Sequence, residues 1–165
     1  MAQAQAQEVR EALKGMLSAV VDEGLLEGGA RVEAYVENGE PIVVVKGRYS
    51  FIMLRCHSAK DGLYSATAGP LDEIEDDDSG AWVGAWAPIR FELGGGMKAT
   101  PVDAIRALRK EAEESAASIA KHLEHLQSDA EDYEDIFEGV LDAVEDAEAA
   151  LNEILEMLGV KVEVV

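Results

Sequence analysis

The chain has 165 residues, which is enough for one ordinary domain with a core and too few for two. Its 14 Lys and Arg are outnumbered by 34 Asp and Glu, so the formal net charge is −20. This excess of acid argues against binding to a nucleic-acid backbone or an anionic membrane, because both need clustered cations. Hydrophobic residues make up 48% of the chain, too many for a sequence that charge keeps unfolded.

Apolar runs and cysteine content indicate the compartment. The longest unbroken apolar runs, at 42–45 and 51–54, are far shorter than a transmembrane helix. The first residues carry neither the basic cluster nor the apolar run of a secretory signal. The single cysteine, Cys56, has no partner for an internal disulfide, which favours a reducing compartment. We therefore expect a cytoplasmic protein without a membrane segment, or a virion protein if its origin is viral.

Apolar residues at helical spacing predict a first helix over about residues 5–23. Gly24 offers a C-terminal cap, and two further glycines at 28 and 29 end the segment. We assign residues 1–28 to this N-terminal helix.

Residues 29–99 are predicted to form an antiparallel meander of about five strands. Residues 31–37 alternate apolar with polar side chains, which predicts one buried and one exposed face. Asn38 and Gly39 form a strong turn signal before the next strand. The strand that begins near Tyr49 is apolar on both faces and is predicted to lie centrally. No connection is long enough for a helical crossover, and this favours antiparallel order.

Residues 100–158 are predicted to form a helical arm. Thr100 is a good N-cap, and Pro101 suits the first helical position. The apolar residues that follow repeat in alternating steps of three and four, which is typical of a helix packed along another helix. We expect the protein to self-associate through this helical seam, whose members include Ile119, Leu123, Leu126, Tyr133, Phe137, Val140, Val144, Leu151 and Ile154.

Two arrangements of the arm remain open. Its unbroken register favours a single coiled-coil rod, whereas the capping-box sequence from Ser128 to Glu131 favours a break at 127–130 and a helical hairpin. A short final strand over 160–165 fits the hairpin better, because the hairpin returns it to the sheet. The predicted fold is thus a single α+β domain with an N-terminal helix, an antiparallel β-meander of about five strands, a C-terminal long helical hairpin or single rod, and a short final strand.

No group of residues predicts catalysis, a metal or a cofactor. Cys56 and His57 are neighbours in a predicted strand, so their side chains point to opposite faces. Cys56 is interpreted as a buried, inert thiol. His122 and His125 lie one helical turn apart, but no further ligand motif accompanies them. We expect no enzyme activity, no bound metal and no cofactor.

Two tryptophans form the most suggestive partner-binding motif. In a strand, Trp82 and Trp86 share a face with Gly84 between them, which leaves a groove with aromatic walls. The alternative is that both indoles pack beneath a helix. Pro88 in the same strand indicates an edge position, where backbone groups are available for strand addition.

The helical region 129–156 is rich in carboxylates and contains no Lys or Arg. Three interpretations compete: a solvated helix face, adaptation to a high-salt cytoplasm, and a mimic of the phosphate backbone that binds the basic cleft of another protein. The mimic face would consist of Glu145, Asp146 and Glu148.

Together these features predict a non-enzymatic acidic module for protein binding or assembly. Small acidic chaperones and minor components of virus particles share its size and charge. We expect a homo-oligomer, with a dimer favoured, that holds a protein partner at a sheet edge, at the tryptophan groove, or at both. The alternative is an acidic inhibitor of a nucleic-acid-binding protein. Neither nucleic acid nor a membrane is expected as a direct partner.

Overall fold

The computed structural model describes residues 2–71, 91–132 and 140–160 of the chain. Within these ranges the fold is α+β, as predicted: an N-terminal helix, a five-stranded antiparallel sheet and two further helices. The helices are α1 (Ala2–Asp22), α2 (Pro101–Asp132) and α3 (Val140–Met157). The strands are β1 (Arg31–Glu37), β2 (Glu40–Lys46), β3 (Ser50–Ser58), β4 (Leu63–Pro70) and β5 (Leu93–Gly94).

The sheet is a meander in which each strand pairs antiparallel with the next, in the order β1-β2-β3-β4-β5. The turn between β1 and β2 contains Asn38 and Gly39, whose φ angles are 51° and 79°. Positive φ at both central residues is the mark of a two-residue type I′ turn, and it makes Glu37 pair directly with Glu40. The turn predicted from the sequence is therefore confirmed, and it sets the register of the whole β1–β2 hairpin.

The three helices pack on the sheet and on one another. Helix α1 packs on β2, α2 on β3 to β5, and α3 on β3 and β4, while both α1 and α3 contact α2. The sheet residues in the main core have the same parity along each strand, so they share one face of the sheet. They are Val43, Val45, Ile52, Leu54, Cys56, Ala66, Ala68 and Leu93.

Strand β1 differs from the prediction of one buried face, because all seven of its side chains are exposed. In β2, by contrast, every residue from Pro41 to Val45 is buried. The physical reason is the width of the helical layer: in the part of the chain that is described, the helix–sheet contacts fall on β2 to β5, and none of the main contacts reaches β1. Val32 and Val36 therefore lie on the core side of the sheet but beyond the edge of the core.

The ends of the helices follow the sequence signals. Gly24 ends α1 with a φ of 78°, and Leu25 N–H donates to the Val20 carbonyl in a Schellman arrangement. Gly159 ends α3 in the same way. At the start of α2, the Thr100 hydroxyl accepts a hydrogen bond from Asp103 N–H at 3.0 Å, which confirms the predicted N-cap.

The helical arm is only partly described. Helix α2 continues without interruption through 127–130, so the break expected at those residues is not there. Helix α3 packs back against α2, and Leu158 near its end lies beside Arg109 near the start of α2. One straight rod does not allow this contact. The connection at 133–139 and the predicted final strand beyond 160 lie outside the described residues. Within the described ranges, no helix is long and apolar enough to cross a membrane.

Candidate functional site

The edge of the sheet at β1 is the main candidate for a binding surface. Residues Glu37 and Glu40 close a two-residue type I′ turn and form a hydrogen-bonded pair. Because backbone groups alternate in direction along a strand, the N–H and C=O groups of Val32, Ala34 and Val36 point away from β2. No strand in the described part of the chain pairs with them. The edge therefore presents a row of free donors and acceptors.

The side chains of β1 add an apolar component to this edge. The exposed fractions are 40% for Val32, 41% for Tyr35 and 48% for Val36, large values for residues of this type. Tyr35 and the two valines belong to opposite faces of the strand. A strand placed against β1 would thus cover apolar surface on both faces of the sheet.

Charge is distributed unevenly over the molecule, and β1 lies in its least acidic part. Residues 31–71 contain five Lys and Arg and four Asp and Glu, for a net charge of 5 − 4 = +1, so the rest of the chain carries −20 − 1 = −21. Two acids of β1 also have cations beside them: Glu33 pairs with Lys46 at 3.2 Å, and Glu37 lies 3.7 Å from Arg55. A partner approaching this edge meets little net repulsion, in contrast with the acidic helices.

A groove of about 1000 Å³ opens beside the start of β1. Its walls come from the end of α1, the loop that leads into β1, the β2–β3 turn and the end of α3. The lining carries both signs of charge, with Arg31 and Arg48 as well as Glu27 and Glu156. Arg48 lies over the ring of its neighbour Tyr49, 5.2 Å from the centroid. The mixed lining does not define one kind of small ligand, and the groove is best described as the end of the β1 surface.

One wall of the groove is held by Glu153 of α3. Its carboxylate accepts hydrogen bonds from the backbone N–H groups of Arg48, Tyr49 and Ser50 at 3.0, 3.0 and 3.1 Å. The fully buried hydroxyl of Ser50 donates to the same carboxylate at 2.6 Å. Gly47 leaves room for this contact, because a Cβ there would collide with the Glu153 carboxylate. The turn amides are therefore occupied by the protein's own carboxylate and are not available as an anion site.

The other wall is held by Arg109 of α2, which interrupts the apolar residues that recur every three or four positions from Val102 through Ile105 to Ala112 and Ala116. Its guanidinium donates to the Leu158 carbonyl at 2.7 Å and to the Glu23 carbonyl at 3.3 Å. Both carbonyls lie at helix C-termini, where backbone acceptors lack partners inside the helix and positive charge is favoured. The Glu23 carboxylate also pairs with Arg106 at 2.9 Å. Arg109 thus ties the ends of α1 and α3 to α2 and has a structural role.

The cysteine lies in the core and carries no sign of nucleophilic chemistry. Cys56 is fully buried and faces its cross-strand neighbour Tyr64. Burial raises the pKa of the Cys56 thiol, although a hydrogen bond with Tyr64 acts in the opposite direction. Burial also raises the pKa of the Tyr64 hydroxyl. His57 points to the other face, where its Nε2 lies 2.7 Å from the Ser65 hydroxyl. Burial thus favours the protonated thiol, and among the described residues the neighbouring imidazole of His57 lies on the opposite face.

No metal site is present among the residues that the structure describes, since none of their His, Cys, Asp and Glu side chains cluster in groups of three. His122 and His125 are both exposed on α2.

The predicted partner-binding residues Trp82, Gly84 and Trp86 lie outside the described residues, as does Pro88. The tryptophan groove therefore stays a prediction. The structure describes both edges of the sheet, the seven-residue β1 and the two-residue β5, and the sequence did not single out β1 as a binding edge.

The predicted seam residues that the structure describes pack within one chain. Leu123, Val144, Leu151 and Ile154 are buried, while Ile119 and Leu126 are half-buried against the core. Tyr133 and Phe137 lie outside the described residues, and so does the side chain of Val140. The helix-on-helix packing read from the pattern is present between α2 and α3. Self-association through the seam stays a prediction.

The three acidic residues of the predicted mimic face differ in exposure. On α3, Glu145 is exposed, whereas Asp146 and Glu148 are half-buried. The prediction that they occupy a basic cleft stays a prediction.

The geometry of the described residues defines an α+β protein with a helical layer on one face of its sheet and an edge strand, β1, whose outer side pairs with no described strand. No family model, no curated protein and no solved structure matches the chain. The sequence contained one signal for the edge site: an alternating strand with a tight turn on one side and a glycine-rich loop on the other. The predicted meander already implies that its first strand lies at an edge, whereas the exposure of both faces of β1 became visible only from how far the helices reach across the sheet.

Proposed function

We propose that this protein is a non-enzymatic protein-binding or assembly module and that it binds its partner along the β1 edge. The observation that carries the proposal is the outer side of β1, which pairs with no strand in the described part of the chain and exposes Val32, Tyr35 and Val36. Addition of a strand to an exposed sheet edge is a common mode of protein recognition, in which main-chain hydrogen bonds supply affinity.

The chemistry of the edge defines the partner as an extended segment of polypeptide. Its backbone would bond to the outward groups of Val32, Ala34 and Val36, and alternate side chains would pack on the two valines. The near-neutral charge of residues 31–71 supports this surface over the acidic helices as the place of contact. The single, buried cysteine supports a reducing compartment, for which we propose the cytoplasm.

Site-specific photo-cross-linking in the source organism tests the proposal. A photoreactive amino acid at Val36 should form a cross-link to one defined partner protein, at a segment that mass spectrometry maps as extended chain. The control position is Leu63, which is as exposed as Val32 but lies at the start of β4.

A second variant, Ala34→Pro, should abolish the cross-link from position 36. Proline removes the outward N–H of residue 34 and is tolerated on an edge strand where that N–H faces solvent. If the probe at Leu63 captures the same proteins as the probe at Val36, or if Ala34→Pro leaves the cross-link intact, the proposal is wrong.

A further inference from the structure

We propose that a second copy of this chain pairs with β1, antiparallel and across a two-fold axis at Ala34, so that two sheets join into one. The inference rests on the proposed use of the β1 edge and names its occupant. It follows from the self-complementary sequence of β1: when two copies of the strand lie antiparallel, the residues that face each other form favourable pairs.

The backbone of β1 allows such a pairing. Only Val32, Ala34 and Val36 direct their N–H and C=O groups outward. With the axis at Ala34, Val32 lies opposite Val36 of the second copy, and Ala34 lies opposite its own equivalent. Every outward group then meets an outward group, and each such pair exchanges two hydrogen bonds.

The side chains fit the same register. Arg31 lies opposite Glu37 of the second copy at both ends of the interface, and the exposed valines meet each other. Opposite charges and β-branched residues are favourable cross-strand pairs. The backbone of Arg31 pairs with Lys46 of β2, but its side chain makes no ion pair or hydrogen bond within the described part of its own chain, so the guanidinium is available for this contact.

The neighbouring registers that keep the outward groups paired are disfavoured by charge. A shift of two residues in one direction places Glu33 opposite Glu33 of the second copy. The same shift in the other direction places Glu33 opposite Glu37. Like charges directly opposite each other destabilise a strand pair. The register centred on Ala34 is therefore selected over both of them.

The rest of the molecule supports an edge-to-edge dimer. Each chain carries −20, but residues 31–71, which contain β1 and the strands beside it, carry +1. The main helix–sheet contacts in the described part of the chain lie on β2 to β5 and not on β1. The seam residues that the structure describes are already packed inside one chain. A contact of seven residues is about 23 Å long, so the interface is small and the dissociation constant should be of micromolar order.

Sedimentation equilibrium of the full-length protein tests the inference, over about 1–500 µM and in about 0.15 M salt, which screens long-range repulsion. The wild-type protein should be a dimer at high concentration. Arg31→Glu and Glu37→Arg should each weaken dimerisation at least about tenfold, because each places like charges at both ends of the interface. Lys60→Glu changes the charge equally at an exposed turn and should have no effect.

Mixing the two single variants gives the sharpest result. In the mixed dimer, the glutamate introduced at position 31 of one chain meets the arginine introduced at position 37 of the other. At the opposite end of the interface, the native Glu37 of the first chain meets the native Arg31 of the second. The mixture should therefore regain dimerisation that neither variant shows alone, and the double variant should regain it as well. Two unfolded variants would not restore dimerisation when mixed. The mixing experiment therefore remains informative even if one of the substitutions lowers stability.

A wild-type protein that stays monomeric throughout the concentration range overturns the inference, as does a mixture that fails to dimerise. Amide exchange identifies a competing occupant: protection of the Val32, Ala34 and Val36 amides that does not change on dilution would mean that the chain covers its own edge. A monomer that still cross-links from position 36 to another protein refutes the dimer alone. If the protein neither dimerises nor cross-links from position 36, the proposed function is refuted too.

Discussion

Replacing Glu153 by alanine measures how strongly α3 holds the β2–β3 turn. The carboxylate accepts bonds from the N–H groups of Arg48, Tyr49 and Ser50 and from the Ser50 hydroxyl. A hydrogen bond to a charged group contributes about 1.5–3 kcal/mol, but water replaces the carboxylate at the exposed Arg48 amide. The part-buried bonds to Tyr49 and Ser50 remain, and they share one acceptor oxygen. We expect Glu153→Ala to lower the free energy of unfolding by about 3–4 kcal/mol.

Urea unfolding followed by circular dichroism gives this free energy directly. In a thermal melt, the same loss corresponds to a Tm lower by roughly 6–16 °C for a chain of this length. Glu156→Ala is the matched control, because Glu156 lies on the same helix, is exposed and makes no hydrogen bond to the described turn. Its cost should stay within about 0.5 kcal/mol. Equal costs for the two substitutions would refute the reasoning.

Gly47→Ala completes a double-mutant cycle with Glu153→Ala. The added Cβ collides with the Glu153 carboxylate, so Gly47→Ala should be costly in the wild-type protein. In the Glu153→Ala background the collision partner is gone, and the same substitution should cost much less. The coupling should be of the order of 1–3 kcal/mol, as for residues in direct contact. Additive costs would show that Gly47 is required for another reason.

Three further predictions concern stability. Arg109→Ala should lower the free energy of unfolding by about 2–3 kcal/mol. Arg109→Lys should recover less than half of this loss, because an ammonium lacks the planar fork that reaches two carbonyls. Equal free energies for the two variants in urea unfolding would contradict this. The raised pKa values of Cys56 and Tyr64 mean that the native state holds these protons more tightly than the unfolded chain does. The free energy of unfolding should therefore be at its full value below about pH 8.5 and should fall as the pH rises further. The fall should be smaller in Cys56→Ala, and urea midpoints that stay constant up to about pH 10 would contradict the prediction. Thr100→Ala should cost about 1 kcal/mol and Thr100→Ser much less, since serine keeps the capping oxygen; equal Tm values would exclude the cap as its cause.

Local signals in the sequence predicted local structure well. Asn38 and Gly39 predicted the turn, and Thr100 with Pro101 predicted the start of α2, because each motif satisfies nearby backbone groups through its own chemistry. Gly24 predicted the end of α1 for the same reason. Such features depend on a few adjacent residues and not on the rest of the fold.

Long-range features were beyond the sequence patterns. The hydrogen bond from the Tyr49 amide to Glu153 joins residues 104 positions apart, and no sequence motif near either residue predicts the other as its partner. Arg109 was visible only as a polar exception in an apolar series, and its two carbonyl partners come from the ends of different helices. Capping residues near Ser128 wrongly predicted a break, because α2 runs on through them as helix to Asp132.

The candidate site illustrates the same limit. The alternation at 31–37 correctly predicted a strand, but whether its apolar face is buried depends on how far the helices extend across the sheet. Since α1 packs on β2, the valines of β1 lie beyond the helical layer. An alternation of apolar and polar residues predicts that the two faces of a strand differ in polarity, but it does not predict which other elements cover those faces.

The regularity of β1 itself favours a partner. Exposed edge strands usually carry features that block pairing, such as proline, lysine, a bulge or a very short length. β1 has seven residues, of which three are charged, but it contains neither proline nor lysine and pairs with β2 without a register shift. The irregularity that the sheet does contain lies between β3 and β4, near Cys56, where the strands are interior. Residues outside 31–71 carry −21, so β1 lies in a nearly neutral region of the chain. A seven-residue edge there would be a site of uncontrolled aggregation unless a specific strand covers it, and a self-matching sequence gives that strand one register.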